Sequence, residues 1–180
     1  MTPVLSRATI AALILATTIA ATAGSIESGD RIEMAAVLHS PVTPTQAVKI
    51  AEAGGGHAYG YGMETAHRGH WYEVDVLRGN ARLELRIDAT TGKVLGSSPA
   101  RGEGARGAHA LDGSKLTFGE AIAQAERAGN GPALEANAAG HGDKARVDVD
   151  IIQDHGKRLA HYHVSMRAGH VETAMTGTDT

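Results

Sequence analysis

Two stretches of the chain carry the same succession of hydrophobic and polar positions. In the first, Ala47, Val48, Ile50 and Ala51 recur at helical intervals. Farther on, Tyr72, Val74 and Val76 alternate with Trp71, Glu73, Asp75 and Leu77. Leu83, Leu85 and Ile87 then alternate with Arg82, Glu84, Arg86 and Asp88. In the second stretch the helical stripe is Ala121, Ile122 and Ala125. Val147, Val149 and Ile151 then alternate with Arg146, Asp148 and Asp150, and Ala160, Tyr162, Val164 and Met166 form a further apolar face. Period-two alternation predicts strands with one dry and one wet side. That is the signature of an antiparallel sheet with a helix on one face.

The punctuation agrees with this reading. Thr43 and Gln46 stand three apart around Pro44, a capping box with proline where its missing N–H costs nothing. Thr117 and Glu120 repeat the box, with Leu116 in the place of Val42. Gly54-Gly55-Gly56 and Gly129-Asn130-Gly131-Pro132 stop the two helices. Turns are expected at Arg78-Gly79-Asn80, at His155-Gly156 and at Asp88–Lys93, where Gly92 takes a positive φ. Residues 57–66 and 133–140 read as first strands, although Gly60 and Gly62 weaken the first of them.

The two stretches align with one another. Thr43 falls on Thr117, 74 positions later, and Gly92 on Gly169, 77 positions later. Preserved elements with drift in the turns are what duplicated units show. The expected fold is α+β: two repeated units, each one helix packed on a three-stranded antiparallel sheet. The expected organisation is a leader at 1–23, a lead segment at 24–41 with a short helix, and a first unit at 42–96. A Gly-rich linker at 97–115, a second unit at 116–174 and a tail at 175–180 follow.

Composition adds a compartment. Arg7 precedes an apolar run from Ala8 to Ala21, and Ala21-Thr22-Ala23 is a small-x-small cleavage site, so the N-terminus reads as a secretory signal peptide. The run is shorter than the roughly 20 residues a spanning helix needs, so no stable membrane insertion is expected after cleavage. The chain is expected in the periplasm or outside the cell. It has no cysteine, which removes disulfides, thiol catalysis and Cys-type metal sites. A net charge of −3 without a basic stripe argues against nucleic acid.

At this point Thr43-x-x-Gln46-Ala47-Val48, Trp71-Tyr72-Glu73-Val74-Asp75-Val76 and Ile87-Asp88-Ala89-Thr90-Thr91-Gly92-Lys93-Val94 together resemble the PepSY domain. The resemblance is strong over 42–95 and weaker over 116–171. In the second stretch Ala145-Arg146-Val147 stands for the Tyr-Glu-Val pattern and Ser165-Met166-Arg167-Ala168-Gly169-His170 for the turn. PepSY domains occur in propeptides of thermolysin-like peptidases and in exported bacterial proteins. The resemblance implies binding or inhibition of a peptidase outside the cytoplasm, and it supplies no catalytic residues.

Candidate chemistry rests on the ten histidines. His67 and His70 flank Arg68-Gly69; a two-residue turn there would set the imidazoles opposite one another, about 5 Å apart at Cβ. His161 and His163 lie two apart on one strand face, the solvent side by alternation from Tyr162. Two imidazoles make half a tetrahedral zinc site, and without soft ligands the candidate ions are Zn, Cu(II) or Ni(II). Neither pair has an obvious third ligand in the sequence, and polar surface is the plainer reading. The chain has no His-Glu-x-x-His, Gly-x-Ser-x-Gly or phosphate-loop motif. The expectation is a non-enzymatic binding protein without a resident cofactor; the alternative is a metal-binding or sensing protein using His67, His70, His161 and His163.

Overall fold

The structure is a computed structural model that describes residues 28–67, 69–101 and 107–173. The leader, the tail at 175–180 and part of the linker lie outside the described residues. The elements run α1 (Ser28–His39), α2 (Pro44–Glu52), β1 (His57–Ala66), β2 (Gly69–Arg78), β3 (Ala81–Asp88) and β4 (Val94–Pro99). Then come α3 (Phe118–Gly129), β5 (Ala133–Ala139), a short 3-10 turn (Gly142–Lys144), β6 (Arg146–Gln153), β7 (Arg158–Ser165) and β8 (Val171–Thr173).

All eight strands join in one antiparallel sheet, in the order β4-β3-β2-β1-β5-β6-β7-β8. This corrects the expectation of two three-stranded sheets. Each half contributes four strands, and the halves meet edge to edge where Gly60, Tyr61 and Gly62 of β1 pair with Asn137, Ala136 and Glu135 of β5. An unpaired β-edge exposes a row of N–H and C=O groups; joining β1 to β5 satisfies one such edge in each half. The fourth strand of the first half runs past the expected end of the unit at 96 into the expected linker. Ser97, Ser98 and Pro99 instead pair with Leu85, Glu84 and Leu83. Their polar, small side chains carry no alternation, and as an edge strand β4 is exposed along its whole length. Ala108 and Ala110, also expected in the linker, are buried.

Both capping boxes are formed. Thr43 Oγ1 accepts from the Gln46 amide at 3.3 Å, and the Thr43 amide donates to Gln46 Oε1 at 2.8 Å. The corresponding distances at Thr117 and Glu120 are 3.2 and 2.8 Å. Other local bonds also recur. Glu52 accepts from the Ala58 amide and Glu126 from the Ala133 amide, so each helix closes on the strand after it. Arg78 donates to the Gly55 carbonyl and Gln153 to the Gly129 carbonyl, tying the second strand of each half to its helix end. Both first strands bulge, at Tyr59 and at Leu134.

The helices α2 and α3 lie on the same face of the sheet. Tyr72 donates to the Val42 carbonyl at 2.6 Å beneath α2, and Gly129 of α3 lies so close to Ile151 that a Cβ there would stand 2.6 Å from its Cγ2. Val48, Tyr72, Val74, Ile87, Phe118, Ile122, Val149 and Val164 belong to one continuous core running under both helices. Tyr61 reaches across the seam, stacking on Tyr72 at 5.4 Å and donating to the Ala133 carbonyl. No polar or charged residue is buried among the described residues. The predicted short helix of the lead segment is α1; it packs on β1 and β5 and buries Met34, Ala36 and Val37.

Candidate functional site

Two features occupy the face of the sheet that α2 and α3 leave open. The first is a groove of about 600 Å³ along the β1–β5 seam, with the N-terminal half of α1 at its side. Period-two alternation aims Glu73 and Asp75 of β2, Glu64 of β1, Glu135 and Asn137 of β5 and Asp150 of β6 into it, and α1 adds Asp30 and Glu33. Seven carboxylates thus share one groove, whose lining residues, among those described, include no Lys or Arg. Gly60 makes room for Asp75: a Cβ at Gly60 would lie 2.7 Å from Asp75 Oδ2. The closing of a strand around a glycine is the reason β1 tolerates a residue that weakens strands in general.

The crowding shows in the acidities. Burial, then repulsion from Glu84 and Glu73, pushes Asp75 up to about 7 from an ordinary 3.8. Glu33, Glu64 and Glu135 are also raised, each chiefly by burial and further by neighbouring carboxylates. Tyr59 is pushed up to about 12 by burial and by Asp75. The nearest cation is Arg86 of β3. Its Nε lies 3.1 Å from Glu73 Oε1, its Nη2 3.4 Å from Glu84, and its guanidinium 5.6 Å over the Trp71 ring.

The second feature lies on β6 and β7. Register places Asp148 opposite His163 and Asp150 opposite His161. Both pairs are hydrogen-bonded, Nδ1 to Oδ1, at 2.6 Å. Arg146 Nε also donates to Asp148 Oδ1 at 2.7 Å. The two imidazoles meet edge to face, 4.9 Å apart. The bond to Asp150 is the main reason the His161 pKa is raised. All four side chains are half-buried.

The four histidines singled out from the sequence therefore fare differently. His161 and His163 come together as anticipated, on the face away from Tyr162. His67 and His70 do not face each other: Ala66 pairs with Gly69 and Thr65 with His70, so His67 sits in the loop. Gly69 has φ 142°, a conformation that favours glycine, and opens β2 instead of completing the turn. The third member of this cluster, Asp148, which the spacing of the histidines alone does not reveal, is nevertheless legible in the sequence. A hairpin folded about His155-Gly156 pairs 148 with 163 and 150 with 161, which is the register observed. The groove had no such signal, because it is assembled from both halves and α1.

Comparison with known proteins bears on one part of the chain. Residues 41–97 match the family described as "Peptidase propeptide and YPEB domain", PepSY, which supports a PepSY domain over that span. The match does not extend to the second half. No curated protein matches the chain. A solved structure described as a "putative lipoprotein" of Clostridium difficile 630 is similar to it at 21% identity, over 75% of this chain and 95% of that one, with a TM-score of 0.40. No described helix is long and apolar enough to cross a membrane.

Proposed function

We propose that the chain is an exported, non-enzymatic binding protein that engages a protein partner on the open face of its sheet, the partner class being an extracytoplasmic peptidase. The observation that carries this reading is the groove at the seam of the two halves. Carboxylates brought together there repel one another and hold raised pKa values. Lys or Arg side chains from a partner would relieve that repulsion, and charge complementarity of this kind steers encounter and sets specificity. The PepSY match at 41–97 supports the partner class, and the leader pattern at 1–23 supports export. The second half is proposed as a diverged copy of the first, on the strength of the recurring capping boxes, bulges and helix-end bonds.

The test is a titration of the purified protein into a panel of secreted metallopeptidases at low and high salt. Stoichiometric loss of activity that weakens with salt and with the triple substitution Glu73→Gln, Asp75→Asn, Glu135→Gln is expected. A protein that neither slows nor binds any of the panel defeats the proposal.

A further inference from the structure

We infer that Asp148, His161 and His163 form a binding site for one borderline divalent cation, Zn²⁺ or Cu²⁺, with Asp150 as the residue that orients His161. The site borders the groove through Asp150, but the inference does not depend on the groove's partner.

One ligand atom from each of Asp148, His161 and His163 lies within 4.8 Å of the other two, the only such trio of His, Asp or Glu side chains among the described residues. Bonds of about 2.0–2.1 Å at tetrahedral angles set donor atoms roughly 3.3 Å apart. The three side chains are half-buried on adjacent paired strands, and binding would draw their donor atoms the remaining distance. Two imidazoles and one carboxylate are the donor set that suits zinc and copper, and this set has no soft ligand that would select Cu(I).

The neighbours have the form of a supporting shell. Metal-bound histidines generally give their second ring nitrogen to a carboxylate, which fixes the ring and its tautomer. Asp150 does this for His161: with Nδ1 held at 2.6 Å, Nε2 is presented outward. On Asp148, Oδ1 takes the bonds from both Arg146 and His163, which leaves Oδ2 as the oxygen for the ion. Three protein ligands leave a position for water or for a group from outside. A second cavity of about 400 Å³, lined in part by His163, Arg146 and Glu172, opens on that side.

The experiment is a titration of the metal-free protein with Zn²⁺ against a competing chelator, with NMR amide shifts read in parallel. The expected result is one ion per chain with shifts centred on β6 and β7. His161→Ala with His163→Ala should weaken it at least 100-fold, and Asp150→Asn about 10–100-fold. His67→Ala with His70→Ala should leave it unchanged. Circular dichroism checks that each variant is folded. In the unaltered protein, shifts scattered over other histidines, or no saturable uptake, would overturn the inference whatever the variants do. So would equal losses from the His67/His70 and His161/His163 pairs.

Discussion

The wet faces of the two halves hold different chemistry at corresponding places. In the first half, Glu73 stands opposite Arg86 and Asp75 opposite Glu84. In the second, Asp148 stands opposite His163 and Asp150 opposite His161. The acidic members sit 75 positions apart, on the second strand of each half. Their partners on the third strand differ: a permanent cation and a like charge in one half, two titratable imidazoles in the other. Asp75, partly buried and faced by Glu84, is driven toward its neutral form. Asp150, faced by His161, helps hold that imidazole in its charged form. The dry faces under α2 and α3 meanwhile keep the same apolar alternation. The partners of these four acidic residues thus differ at the third strand, while the packing on the dry faces is alike.

The comparison can be tested at three depths. The deepest concerns whether the halves are one body. Ile151 is fully buried in a core that runs under both helices, so Ile151→Ala should cost about 2–5 kcal/mol. Denaturant unfolding followed by circular dichroism should still show a single transition. A protein that unfolds in two steps, with only one displaced, would separate the halves.

A middle-sized effect compares the helix starts. Thr43→Ala and Thr117→Ala each remove a side chain from a complete capping box, and each should cost about 1 kcal/mol. Unequal losses would mean that one helix start is supported by contacts the other lacks.

The smallest effect concerns the charge pairs. Like charges directly opposite on a sheet are unfavourable by roughly 0.2–1 kcal/mol per pair. Glu84→Gln should remove the like charge facing Asp75 and raise stability by an amount in that range at pH 8, where Asp75 is ionised. The pH dependence has a fixed sign. The folded-state pKa of Asp75, about 7, exceeds its ordinary 3.8. The folded state binds the proton more tightly, so the stability linked to this group is complete below about 4 and is lost as pH rises to about 7. Asp75→Asn should therefore stabilise the protein at pH 8 and lose that advantage toward pH 4. A gain that does not vary with pH would show that the cost of ionising Asp75, partly buried beside Glu84 and Glu73, is not its cause.

Much of this architecture could be read from local chemistry. Capping boxes, helix stripes and strand alternation depend on residues within a few positions of one another, and α2, α3, β2, β3, β6 and β7 all formed where these signals lie. The turn at Asp88 is equally local: its Oδ1 accepts from the Thr90 and Thr91 amides and the Thr91 hydroxyl, and Gly92 has φ 70°. The His161–Asp150 and His163–Asp148 pairs follow from alternation and one turn position. The loop at His67 did not, since a shift of its register by one residue on each strand cost no hydrophobic contact the sequence could reveal.

What local chemistry could not decide was how the halves meet. The β1–β5 pairing joins residues more than 70 positions apart through Gly60, Tyr61 and Gly62, two of which have no side chain to signal a partner. The edge strand β4 lacks alternation because neither of its faces is buried. The groove, its seven carboxylates and the contributions of Glu135 and Asp30 to the raised pKa values of Glu33, Glu64 and Glu135 depend on that long-range seam and on α1 lying beside it. Repulsion and burial arise between side chains brought together from distant segments, so they exist only once the sheet has closed.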